Sequence, residues 1–198
     1  QFMLSAQLAS KVTGRKDYAD WAAEYARHVC GASLGGGAFT YIWGTNDCEV
    51  YHQIVVVMLV RYWELTHDER VLACLRKTVP YYPNTVEACG WADDWTDPHW
   101  KHYWASPAMP YAPVMIATLF PDEPLAVENR CLAHRLAAIF LRDLEAKAKD
   151  ARRKIINFRA YAAYAALYWR DDAGQKPRDR VILDGAIRGP RQRCGDFS

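Results

Sequence analysis

Between Asp47 and Leu65 the chain carries Ile54-Val55-Val56-Val57-Met58-Leu59-Val60, which places apolar side chains at every position around a helical turn. A helix that is apolar nearly all round has to be enclosed, because no orientation hides it against a single neighbour. The run is far short of the roughly 20 residues a bilayer span requires, and Arg61 follows it directly. Enclosure by other parts of a protein is the remaining solution. The spacing predicts an inner helix over Glu49 to Leu65, with Asp47 as its cap. Thr66-His67 breaks the pattern. Asp68 can then cap a helix running to Val79, apolar on one side through Val71, Leu72, Leu75 and Val79 and ended by Pro80 and Pro83. An inner helix, a tight break and an amphipathic outer helix make an antiparallel hairpin with the first member more buried.

Helical periodicity dominates elsewhere too. Tyr18, Trp21, Ala22, Tyr25 and Val29 mark one face of a helix from Asp17 to Cys30, stopped by Gly31 and Gly35-Gly36-Gly37. Further helices are expected over Tyr111 to Phe120, Leu125 to Lys149 and Ile155 to Trp169, the last with Phe158, Tyr161, Ala162, Ala165 and Tyr168 on one stripe. Residues 81–106 lack sustained periodicity and read as a long connection with one short helical turn; long ordered loops are often functional. Residues 174–198 read as an irregular C-terminal segment, with Arg180-Val181-Ile182-Leu183 as a strand or short helix. The expected class is all-α, in a single helical domain over residues 1–198, a length that suits one core. The abrupt stop after Gly195-Asp196-Phe197 gives the expectation of a fragment of a longer chain.

The net charge of +2 conceals an asymmetry: residues 1–140 hold 11 basic and 15 acidic side chains, and residues 141–198 hold 14 and 8. Lys147, Lys149, Arg152, Arg153 and Lys154 could meet nucleic-acid phosphates, but Glu145 and Asp150 interrupt them and no nucleic-acid motif accompanies them. They read as a solvated helix face that also suits an acidic polysaccharide. No nucleic-acid or membrane partner is expected. The six cysteines form no C-x-x-C pair and no zinc-ligand spacing. Cys74 and Cys131 read as buried free thiols, and Cys30 with Cys48 is the pair that would close a disulfide across the glycine-rich loop. The N-terminus carries no charged region followed by an apolar stretch and a small-residue cleavage site, so a signal peptide is expected to be absent or already removed.

The hairpin turn has a specific look. Tyr62-Trp63-Glu64-Leu65-Thr66-His67-Asp68-Glu69-Arg70-Val71-Leu72 resembles the YYELTGDERYL turn of the (α/α) toroid enzymes of carbohydrate metabolism, the six-hairpin glycosidases and toroid polysaccharide lyases. The match extends from His52 to Leu75, with His67 in place of the usual glycine. The resemblance implies helical hairpins of an (α/α) toroid, here an incomplete one, whose inner helices deliver residues to a sugar-binding cleft. Tetratricopeptide-like arrays use similar turns, but no second copy at a repeat period is present.

Half of the eight tryptophans fall in one stretch, Trp91, Trp95, Trp100 and Trp104, interleaved with Asp93, Asp94, Asp97, His99, His102 and Tyr103. Indole faces pack against the C–H faces of pyranose rings while carboxylates and imidazoles bind hydroxyls, so this inventory suits a saccharide subsite. The plainer reading is an aromatic loop packed over helix ends. Asp93-Asp94-Trp95-Thr96-Asp97 also resembles the D-D-x-x-D magnesium-diphosphate motif of all-helical terpene synthases. Against that stand Gly90 before it, Pro98 after it and the lack of a second metal motif, so no metal or cofactor is expected.

A second constellation, Thr45-Asn46-Asp47-Cys48-Glu49-Val50-Tyr51-His52-Gln53, opens the inner helix. The resemblance implies an Asn and a His at such a helix start, neutralising a uronate carboxylate while a Tyr or His acts as base. Asn46 and His52 are the candidates, five residues apart instead of adjacent, and His52 is otherwise a satisfied core histidine. Arg130 and His134 share a helix face, where Arg130 could hold a substrate carboxylate or pair with a neighbouring acid.

The leading expectation is a polysaccharide lyase cleaving a uronate polymer by β-elimination. Asn46, His52, His99, His102, Tyr103 and Asp94 supply its chemistry, and Trp91, Trp95, Trp100, Trp104, Asp97 and Arg130 bind the substrate. A glycoside hydrolase would instead pair Asp94 with Glu49 or Asp97. The same residues also admit a magnesium-dependent terpene synthase-like enzyme or a non-catalytic saccharide-binding domain. A polysaccharide-degrading enzyme of this kind would be periplasmic or secreted.

Overall fold

The computed structural model describes residues 1–41, 47–86, 109–148, 159–172, 174, 180–184 and 189–193. These are mostly helical. A first hairpin joins α1 (Phe2–Thr13) to α2 (Lys16–Gly31). Its turn rests on Gly14, whose φ of 73° is left-handed and whose N–H bonds the Ser10 carbonyl at 2.8 Å. Periodicity announces no helix before Asp17, because α1 turns only Met3 and Ala6 fully inward, too sparse a pattern to stand out. After a single turn of 3₁₀ helix over Gly35–Gly37, the inner helix α3 runs Glu49–Thr66.

The apolar character of α3 has most of the expected consequence: Val56, Val57, Leu59, Val60 and Tyr62 are buried, while Ile54, Val55 and Met58 on the remaining side are half-buried. It packs against α1, against α4 (Glu69–Arg76) and against α6 (Tyr111–Leu119). The hairpin turn forms where the sequence places it. His67 ends α3 at φ 53°, and its N–H bonds the Trp63 carbonyl. The Asp68 side chain then accepts the Arg70 N–H at 3.0 Å to open α4. The helix stops at Arg76, short of the expected Val79. Lys77, Thr78 and Val79 instead make tighter bonds to Cys74, Leu75 and Arg76, because Pro80 donates nothing and disfavours helical geometry in the residue before it.

The expected short turn inside 81–106 is α5 (Tyr81–Thr85). Beyond α6, α7 (Ala126–Ala148) and α8 (Arg159–Ala166) complete the helices. The last turn of α8 tightens through Leu167, Tyr168 and Trp169, each bonded three residues back, so the helix ends before the expected Trp169. One apolar core runs from Met3 through α3, α4 and α6 to Leu132 and Leu136 of α7 and Tyr168. The C-terminal segment is not simply irregular. Strand β1 (Arg180–Asp184) pairs antiparallel with β2 (Gly189–Arg193), Arg180 opposite Arg193 and Asp184 opposite Gly189. The Val181-Ile182-Leu183 run is β1, while β2 is too polar and Pro-bearing to announce itself. Among the described residues no helix is long and apolar enough to cross a membrane.

Candidate functional site

The first turns of α3 hold a buried polar cluster. His52 is 1% exposed, with Nδ1 2.8 Å from the Tyr82 hydroxyl and Nε2 3.0 Å from the Gly37 carbonyl. A carbonyl only accepts, so Nε2 carries the proton and Nδ1 accepts from Tyr82. Burial drives the His52 pKa down to about 3 against the pull of the Gly37 carbonyl, leaving the ring neutral. The Tyr81 ring stacks on it at 3.7 Å, 10° from parallel. The Tyr81 hydroxyl donates to Asp47 Oδ2 at 2.5 Å, and burial, then the Asp47 carboxylate, push the Tyr81 pKa well up. At the next position of α3, Gln53 Nε2 donates to Glu49 and, at 2.6 Å, to the Met109 carbonyl, while Gln53 Oε1 accepts the Ala112 N–H at 3.2 Å.

These bonds change two expectations. Asp47 does not cap α3; Cys48 holds that position without a side-chain capping bond, and the Asp47 carboxylate turns to Tyr81 instead. His52 is not open to a substrate: both nitrogens are engaged and its ring is packed between Tyr81 and Phe39. Its role here is to position, fastening the glycine turn and α5 to α3. Tyr81, Tyr82 and Gln53 do not stand out as site residues in the sequence, and the adjacent tyrosines framed by Pro80 and Pro83 are the signal that could have found them.

The cluster gathers the flanks of both chemistry-bearing segments. Tyr41, before residues 42–46, stacks on Tyr51 at 4.4 Å, and Asp47, after them, is tied to Tyr81. Tyr82, before residues 87–108, bonds His52, and Met109, after them, bonds Gln53. Four attachment points thus meet at the start of α3, three on its first turns and the fourth, at Asp47, through Tyr81, whose ring stacks on His52. Asn46, Trp91, Asp94, Trp95, Asp97, His99, Trp100, His102, Tyr103 and Trp104 lie outside the described residues, as do Asp93 and most of the 147–154 basic stretch.

Arg130 is committed elsewhere. Its Nη1 meets Asp172 Oδ2 at 2.5 Å, and one turn on, His134 Nε2 donates to the Arg170 carbonyl at 2.8 Å. Trp169 covers His134 at 4.3 Å, and Gly174, at φ 65°, comes so close to α7 that a Cβ would lie 2.2 Å from the Val127 carbonyl. The chain after α8 therefore straps along α7, and a carboxylate of this chain already fills the role expected of a substrate carboxylate at Arg130.

The cysteines also depart from expectation. Neither Cys30 nor Cys48 is in a disulfide: Cys48 lies with Val50, Tyr41 and Ile54, while Cys30, near the end of α2, packs against the main core. The expected disulfide is absent because the two sulfurs belong to different packing clusters. A cavity of about 300 Å³ between α6, α7 and α8 is walled by Tyr111, Val114, Phe140, Leu141 and Trp169. Its apolar walls offer little to sugar hydroxyls, which leaves the α3 cluster as the candidate frame. Among the described residues no group of His, Cys, Asp and Glu could hold a metal ion. No family model matches the chain, and no curated protein or solved structure matches it.

Proposed function

We propose that this chain is a polysaccharide-processing domain of (α/α) toroid type, a lyase that cleaves a uronate polymer by β-elimination. The observation that carries it is the convergence of the flanks of residues 42–46 and 87–108 on α3. That frame favours one site shared by Asn46 and the Trp91–Trp104 stretch. The hairpin supports it further: the position where His67 replaces the toroid glycine is left-handed, the conformation glycine takes without strain.

In the proposed mechanism, the tryptophan faces and Asp97 hold the sugar rings. The Asn46 amide bonds the uronate carboxylate, stabilising the charge that develops as His102 or His99 removes the C5 proton. The C5 electrons form the C4–C5 double bond as the C4–O bond breaks, and Tyr103 protonates the departing oxygen. Asp94 orients the base. His52 acts through Tyr82 and Gly37 on the frame and never meets the sugar.

The test is incubation with uronate polysaccharides, following the ultraviolet absorbance of the 4,5-unsaturated product and counting new reducing ends in parallel. The lyase reading expects both signals together, with Tyr103→Phe and His102→Ala each losing on the order of 10²–10⁴ in turnover. Reducing ends without absorbance would mean hydrolysis. Binding weakened by Trp95→Ala with no product formed would mean a binding domain. Loss of activity to a chelator would favour magnesium-dependent chemistry.

A further inference from the structure

The register of the β1–β2 ribbon sorts its residues into two unlike sets. Successive positions of a strand alternate between faces, and positions directly opposite each other share one. Val181 opposite Gln192 and Leu183 opposite Pro190 make the first set. Arg180 opposite Arg193, Ile182 opposite Arg191 and Asp184 opposite Gly189 make the second. Directly opposite Cβ atoms lie roughly 4.5–5.5 Å apart and diagonal neighbours about 7–8 Å, so positions 180, 191 and 193 form a compact triangle on one face. Arginine stays charged at any pH the chain meets, and like charges directly opposite destabilise a strand pair. Asp184 is the one acid in this set. It is diagonal to Arg191 and offsets that position, but it stands about 13 Å along the strand from Arg180. The register therefore sets Arg180 against Arg193 with no acid at a neighbouring position of the ribbon, a pairing that gains when an external anion lies across it.

We propose that this face of the ribbon anchors the acidic polymer, taking successive uronate carboxylates of one chain at Arg180, Arg191 and Arg193. The need for an anion follows from the register; its identity as a polyuronate rests on the lyase reading. Charge complementarity carries the assignment. A guanidinium matches a carboxylate with two parallel N–H donors, and a polyuronate repeats that group along its length, as the triangle repeats the cation. Residues 141–198 hold 14 basic and 8 acidic side chains, so the surrounding segment adds long-range attraction. Neither strand carries an aromatic residue on which a nucleic-acid base could stack.

The experiment measures binding of the purified chain to polygalacturonate and alginate at low ionic strength, with a neutral polysaccharide and a DNA duplex alongside. Arginine modification by phenylglyoxal is mapped by mass with and without the polymer. The expected result is polyuronate binding that weakens as sodium chloride is raised, and protection from phenylglyoxal at Arg180, Arg191 and Arg193. Arg180→Gln with Arg193→Gln should weaken binding by about tenfold or more, the loss expected when two charge-assisted contacts go. Lys11→Gln with Arg142→Gln, an equal loss of charge at exposed helix positions, should change it little. The proposal is overturned by the absence of binding to either polyuronate, by unprotected arginines in the ribbon, by a control that loses as much as the ribbon variant, or by DNA held as tightly through the same arginines. The wild-type protection map decides even if a variant fails to fold. Polymer bound and the ribbon protected with no 4,5-unsaturated product would sink the lyase reading and keep the anchor; product formed with the ribbon unprotected would do the reverse.

Discussion

At the scale of single residues, His52 shows how one side chain can look catalytic in sequence and be structural in the fold. Its position near a helix start and a glycine-rich loop was legible; its partners were not, because Gly37 and Tyr82 lie 15 and 30 residues away along the chain. Its neutrality has a pH consequence. In the unfolded chain the imidazole gains a proton near its ordinary value of about 6.5, whereas folded His52 resists protonation down to about 3. Acid therefore favours unfolding: the contribution is fully present above the ordinary value and is lost as pH falls below it. The slope approaches about 1.4 kcal/mol per pH unit. Urea unfolding at pH 6.5 and pH 5 should show a loss that His52→Gln reduces by up to about 2 kcal/mol. Equal losses in both proteins would remove His52 from the account. At neutral pH the same variant should cost about 1–3 kcal/mol, since the Tyr82 hydroxyl and the Gly37 carbonyl lose well-placed partners.

Among the elements, the α3–α4 hairpin was the most legible, because periodicity and capping are local. The turn also yields a prediction against the usual direction of mutation. His67 holds φ 53°, which costs a residue with a Cβ about 1 kcal/mol. His67→Gly should raise stability by roughly 0.5–1 kcal/mol despite losing the edge-on contact with Trp63. Thermal unfolding measures it, and a lower midpoint would mean the Trp63 contact outweighs the strain. The glycine triplet reads in sequence only as a stop, yet Gly37 has a sharper purpose. At φ 85° it lies so close to the turn after α4 that a Cβ would stand 2.3 Å from the Lys77 carbonyl. Gly37→Ala should cost on the order of 3 kcal/mol, combining left-handed strain with a backbone clash. Chemical denaturation checks this, and a change within 0.5 kcal/mol or so, the usual range for an innocuous surface site, would show that the turn yields freely. Sequence could not single out Gly37, because the backbone it meets belongs to a distant turn of the chain. β2 and α1 were missed for a related reason: neither carries a strong pattern of its own, and each is held by the partner it pairs with.

At the scale of the whole molecule, the central claim is that α3 is a frame and not itself the reacting surface. Burial over most of its circumference was legible from one apolar run, although the side carrying Tyr51, Ile54, Val55 and Met58 stays partly open. The convergence of four flanking residues at its start was not, since that depends on long-range pairing by Asp47, His52 and Gln53. If the proposed site exists, a single saccharide should engage the segment before α3 and the tryptophan-rich segment together. Amide hydrogen exchange read by mass, with and without a uronate oligosaccharide, is the most direct measurement. The account predicts that added ligand slows exchange in peptides from residues 42–46 and from 87–108 at the same concentrations. It predicts little change in α1 or in the strap along α7. Protection confined to one of the two segments, or to the apolar cavity between α6, α7 and α8, would contradict it.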